Sequence, residues 1–162
     1  MSLPEVVTSE TDVLDLKSMV LSYEHPELVE RLKKKLGLSE SAALELFDDM
    51  KKFLYLVGTA HQKLAPTKMI DDGWHEFLMY TRDYASFCIQ FFGILLHHTP
   101  NPILKPSAVL SPRETVHRAH KVFGTLGNNW RYGNCSVCSS ECESDCAADS
   151  DCHGDGSCGG DV

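Results

Sequence analysis

The sequence predicts an all-α protein: a single small helical domain of about five helices, Met1 to Tyr132, then a cysteine-rich acidic tail, Gly133 to Val162, either disordered or ordered by metal. Three observations carry this. Apolar residues in the first part recur at helical spacing between helix caps, and alternating β-branched runs are few. At 162 residues the chain is long enough for one core and a tail, but short for two comfortable domains. After Asn134 almost every residue is Ser, Asp, Glu, Gly, Ala or Cys.

The first helix is expected from about Thr11 to Ser22, with Val13, Leu14, Leu16, Val20 and Leu21 as its apolar positions. The next, in "HPELVERLKKKLG", opens on Pro26 in the first turn and closes with cations before Gly37, the order that sterics and the helix dipole favour. Ser39 or Ser41 can cap the third. Its stripe is Leu44, Phe47, Met50 or Lys51, Leu54 and Val57, broadened by Phe53 and Leu56, and it runs to Gly58. After a loop through Pro66, the Thr67 hydroxyl is expected to cap a fourth helix. Its seam is Ile70, Trp74, Phe77, Thr81, Tyr84, Cys88 and Phe91 if the helix is continuous or gently bent, and that reading is preferred to a break at Tyr80-Thr81. Ser111, Pro112 and Glu114 form a capping box for the last helix, which stops near Gly124. Gly127 and Gly133 then interrupt the pattern.

The charge is uneven. Seven acids and no Lys or Arg lie between Asn134 and Val162, so of the net charge of -8 the body carries only -1. A balanced body beside an anionic tail offers no basic footprint for nucleic acid or anionic membranes. The opening "MSLPEVVTSETDVLDLK" has no basic start followed by an apolar run, so it does not read as a secretory signal. No apolar run approaches the roughly 18 residues that span a bilayer. A cytoplasmic protein is the expectation.

The tail holds six of the seven cysteines: Cys135, Cys138, Cys142, Cys146, Cys152 and Cys158. Thiolates at such spacing can converge on a soft or borderline cation, with zinc the first choice and copper(I) the alternative. The surrounding acids tend to raise thiol pKa, so metal coordination would have to supply the thiolates. On a helix the first four would share one face, although Ser and Asp make that helix weak without metal or partner. The plainer reading is a disordered tail whose cysteines stay reduced, or form disulfides under oxidising conditions. His153 is a further donor or a solvated bystander.

The second chemical feature is Trp74-His75. On a helix His75 lies well round from the seam, with Asp71 one turn earlier, so Asp71 can orient the imidazole, pair with it or share a metal. A partner is expected from His97 or His98, returned by the chain after Gly93, with one facing inward and the other outward. A joint site of His75 and Cys88 fails on a continuous helix, where thirteen residues separate the two by about 20 Å. Against metal ligation by Asp71, His75 and His98 stands a buried His75 that hydrogen-bonds beside Trp74. His117 and His120 are one turn apart on the last helix; His120 is expected to edge the core and His117 to face solvent.

The string "APTKMIDDGWHEFLMYTRDYASFCIQFFGILLHHTP", preceded by "FDDMKKFLYL" and followed by "VFGTLGNNW", resembles the glycine-rich domain-containing-protein-like family. Pro66, Thr67, Ile70, Asp71, Trp74, His75, Thr81, Tyr84, Phe87, Cys88, Gly93, His98, Pro100, Phe123, Gly124 and Trp130 fill its pattern, over roughly Leu46 to Trp130. Similar proteins often end in tails rich in Gly and Cys, which this tail echoes with more acid and less glycine. The resemblance implies a helical domain and brings no reaction or substrate.

The leading expectation is a helical metal-binding or metal-handling protein that uses the tail thiolates, with Asp71, His75 and His98 as a second site. The alternatives are a non-enzymatic interaction module that docks a protein partner beside a flexible acidic tail, or a tail that is the substrate of a cysteine-modifying enzyme. An enzyme is the least supported class, since no Ser-His-Asp set, phosphate loop or complete catalytic metal motif is present. Val137 and Val162 are the tail's only aliphatic residues larger than Ala. Burying either yields about 1.5–3 kcal/mol, against roughly 1–2 kcal/mol of backbone entropy for each residue ordered. A chain ending at Tyr132 should therefore keep the helical circular dichroism and cooperative melting of metal-free full-length protein; loss of that transition would place the tail in the core.

Overall fold

The computed structural model describes residues 10–60, 62–98 and 109–131. They form six helices: α1 (Glu10–Leu21), α2 (Pro26–Leu36), α3 (Glu40–Thr59), α4 (Lys68–Leu78), α5 (Thr81–Phe92) and α6 (Pro112–Phe123). Two short strands, β1 (Lys63–Leu64) and β2 (Val109–Leu110), pair in parallel, and a 3-10 turn spans Asn128–Trp130. The six tail cysteines and His153 lie outside the described residues, as do the side chains of Val13 and Leu14. Among the described residues no helix is long and apolar enough to cross a membrane.

Local chemistry explains the helix ends. At α2, Pro26 opens the helix, and Gly37 closes it at φ 64, a left-handed conformation that glycine adopts without a Cβ penalty. The cap itself is His25, whose Nδ1 accepts from the Leu28 N–H. Ser39 caps α3 through the Ala42 N–H. Ser111 and Glu114 close a reciprocal capping box on α6. Thr67, expected to cap α4, instead donates its hydroxyl to the Asn129 carbonyl at 2.6 Å, because a partner far along the chain claims it.

α3 is the hub, packing against α1, α2, α4 and α6. It is buried nearly all round by Ala43, Leu46, Phe47, Met50, Phe53, Leu54, Tyr55 and Leu56. Leu44, placed in the stripe by its spacing, is half-exposed instead, since the helix turns Ala43 and Leu46 inward beside it. α3 also runs past its expected stop at Gly58, where a Cβ would sit 2.4 Å from the Phe92 ring. Lys51 is buried in the same helix. Its ammonium donates to the Leu21 and Tyr23 carbonyls at the end of α1 and lies 4.8 Å from the Phe47 ring centre. A cation there complements the negative end of the α1 dipole, while burial pushes the Lys51 pKa down.

The preferred continuous fourth helix is not found: the chain breaks at Met79-Tyr80 and begins again at Thr81. The turn is held by Tyr80, which packs its ring 4.8 Å from that of His25 and donates to the Glu27 carbonyl at 3.2 Å. Tyr80 occupies the cap position of α5. Ile70, Trp74, Phe77, Tyr84, Cys88 and Phe91 are nonetheless all buried, because each half is amphipathic by itself; Thr81 is exposed.

The acidic side of α3 clamps the 3-10 turn. Glu45 accepts from the Asn128 N–H at 2.9 Å, and buried Asp49 accepts from the Asn129 amide at 3.0 Å while pairing with Lys52 at 3.2 Å. Gly127 makes this approach feasible, since a Cβ there would meet Asp49 at 2.5 Å and Glu45 at 2.8 Å. Gly127→Ala should therefore cost about 1–3 kcal/mol, the range for overpacked sites. Chemical denaturation and faster amide exchange at Asn128 check this, and unchanged exchange would show that the clamp does not hold the turn.

Candidate metal centre

Asp71 sits in the first turn of α4, where the helix dipole favours a carboxylate, and His75 stands one turn beyond it. Their nearest nitrogen and oxygen are 3.6 Å apart. After α5, Gly93 at φ 70 ends the helix and the chain turns back. Leu96 is buried, His97 points out, and His98 points in, as alternation in an extended segment requires.

The return of His98 is fixed by a buried relay. The Trp74 indole N–H donates to the Tyr84 hydroxyl at 3.0 Å, and that hydroxyl donates to the Leu96 carbonyl at 2.6 Å. Burial holds the Tyr84 hydroxyl far above its ordinary pKa, so it stays a neutral donor. Two residues on, His98 Nε2 lies 2.7 Å from Asp71 Oδ1. The His98 ring centre is 4.4 Å from those of both Trp74 and His75.

The structure thus brings Asp71, His75 and His98 together, with one ligand atom from each within 4.8 Å of the others. Two donors on one tetrahedral ion with bonds of about 2.0–2.1 Å stand about 3.3 Å apart. The 3.6 Å separation between His75 and Asp71 is close to that, and the 2.7 Å separation between His98 and Asp71 is somewhat short of it. The two histidines meet different oxygens of Asp71, and the three donors spread over up to 4.8 Å, so binding one ion requires the side chains to rotate toward it. Two imidazoles and a carboxylate suit zinc and other borderline divalent ions.

Burial is graded across the group: the side chain of His98 is 13% exposed, Asp71 34% and His75 52%. His75 is therefore not the buried histidine that its place beside Trp74 suggested, because Trp74 faces the core from the next position on the helix and turns His75 outward. The break at Tyr80 removes the continuous helix that separated His75 from Cys88, yet Cys88 does not join the group. Its thiol is fully buried beside Tyr84 and Leu96, and burial pushes its pKa up. His117 and His120 are both exposed on α6. His120 does not edge the core; its Nδ1 lies 2.9 Å from the Gly124 carbonyl, which draws the ring to the helix end.

Spacing placed Tyr84 on the core seam but did not reveal its hydroxyl as the link to His98. The available signal was that a buried tyrosine hydroxyl needs a partner. Tyr84→Phe leaves the Trp74 N–H and the Leu96 carbonyl unpaired, which should cost about 1–3 kcal/mol. It should also broaden or shift the His98 ring resonances relative to those of His120; an unmoved His98 would show that the relay does not position it.

A protein-family model described as UCP032817-like matches residues 16–125. The match corrects the resemblance to the glycine-rich domain-containing-protein-like family. It takes in all of α2 and the second half of α1, which the resembling string left out, and it stops before Trp130, which that string included. No curated protein and no solved structure matches the chain. The family match supplies no reaction or substrate. With most of its length covered, including every residue of the Asp71, His75 and His98 group, the chain belongs to the UCP032817-like family.

Proposed function

We propose that this is a helical metal-binding or metal-handling protein of the cytoplasm, with Asp71, His75 and His98 as a zinc site on the folded domain and the tail cysteines as a separate set of thiolate ligands. The observation that carries the reading is the convergence of three donor atoms from α4 and the segment after α5 to within 4.8 Å. The relay through Tyr84 supports it, because it fixes the Leu96 backbone two residues before His98 and so limits where that ring can lie. Copper(I) is the alternative for the thiolates, being softer than zinc. A reducing compartment would keep the thiols available.

A second reading makes the domain a non-metal interaction module, and the 2.7 Å contact favours it. His98 and Asp71 at that distance form an ordinary charge-assisted hydrogen bond. On this reading the pair is a polar support for Trp74 and the Leu96 segment, with His75 incidental.

Zinc titration of reduced full-length protein, purified anaerobically without a metal column, separates the two. Saturable uptake with proton release is expected. Asp71→Asn, His75→Ala and His98→Ala should each weaken one class of site by at least the roughly 10–100-fold that outer partners are worth. Replacing the six tail cysteines by Ser should remove the other class. If His75→Ala leaves all zinc uptake unchanged, the domain site is wrong; if the reduced protein takes up no zinc, the whole proposal is.

A further inference from the structure

We infer that an ion held by Asp71, His75 and His98 keeps a coordination position open to a small exogenous anion, so that the centre is a ligand-binding Lewis acid and not a closed structural site. This rests on the domain site proposed above. Structural zinc sites are closed by four protein donors, usually rich in thiolate, whereas sites with three nitrogen or oxygen donors leave the fourth position to water or substrate. Among the described residues the group contains three donors and no cysteine.

The packing fixes which side is open. Trp74, only 4% exposed, closes the inner side behind His98, and the Tyr84 relay holds the backbone there. His75 and Asp71 form the outer side and are the most exposed of the three. An incoming ligand therefore approaches past His75, from solvent. A divalent ion with one carboxylate and two neutral imidazoles carries one net positive charge, which selects anions such as carboxylates or phosphates over neutral or cationic ligands. Bound water would occupy the same position and be polarised there.

Cobalt(II) substitution of the full chain, with azide as the probe, tests this. The expected result is a visible cobalt band that is lost in His98→Ala and in His75→Ala and that shifts saturably with azide. Because His75 is half-exposed, His75→Ala separates loss of the ion from loss of the fold, with circular dichroism as the check. A His75-dependent band that azide does not move overturns the inference and leaves the metal site standing. Sulfur-to-cobalt charge transfer on that same ion also overturns it, since a cysteine then fills the position. Absence of any His75-dependent band removes the site itself, and the inference with it.

Discussion

The hydroxyl of Tyr84 sits between the Trp74 indole N–H and the Leu96 carbonyl, and these two buried hydrogen bonds join three pieces of chain that share little sequence. α4 contributes the indole, α5 the phenol, and the returning segment the carbonyl. In a low-dielectric interior such a chain is costly to leave half-made, so the three pieces are held in one arrangement or none. Once Leu96 is fixed, His98 falls beside Asp71 because it is two residues further along an extended segment, on the same side. The apolar setting does the rest: Phe53 packs edge-on to Trp74 at 5.5 Å, and Phe77 to Tyr84 at 5.2 Å.

That arrangement requires the break between α4 and α5. A continuous helix would carry Tyr84 and the chain after it away from Trp74 along the axis, at about 1.5 Å per residue. With the turn at Tyr80, α5 folds back across the first half, and Tyr84 can reach the indole ten residues earlier. Tyr80 holds the turn against α2, through the His25 ring and the Glu27 carbonyl. His25 in turn caps α2 with one nitrogen and meets Asp83 of α5 with the other, at 3.2 Å. With the Arg31 to Glu76 ion pair joining α2 to α4, the helix pair beside the candidate site is tied to α2 from both of its halves.

Features set by neighbouring residues were legible in the sequence, and those set across the chain were not. Pro26 and Gly37 bound α2, and Ser111 with Glu114 starts α6, because a cap needs only the next few residues. Thr67 stands at the cap position of α4 but makes no side-chain cap bond; its hydroxyl donates instead to Asn129 within the 3-10 turn, a partner 62 residues along the chain. Periodicity does not reveal the break at Tyr80, since both halves have helical spacing and only the packing on His25 decides between a bent and a broken helix. At the site, the four-residue step from Asp71 to His75 gave their adjacency, and alternation separated His97 from His98. The role of the Tyr84 hydroxyl depends on how α4 and α5 pack against each other, which spacing within one helix leaves open.

An isolated pair of surface histidines would say little, but here the donors come from two segments and the more buried one packs on the Trp74 indole two residues after a backbone carbonyl held by Tyr84. This is the support that ligand geometry needs if an ion is to be held with a defined orientation. The most direct test is a zinc-soaked crystal measured on either side of the zinc absorption edge. The account predicts an anomalous peak between Asp71, His75 and His98, about 2.0–2.1 Å from its donor atoms. A map with no peak there, and the His98 to Asp71 hydrogen bond intact at saturating zinc, would contradict it.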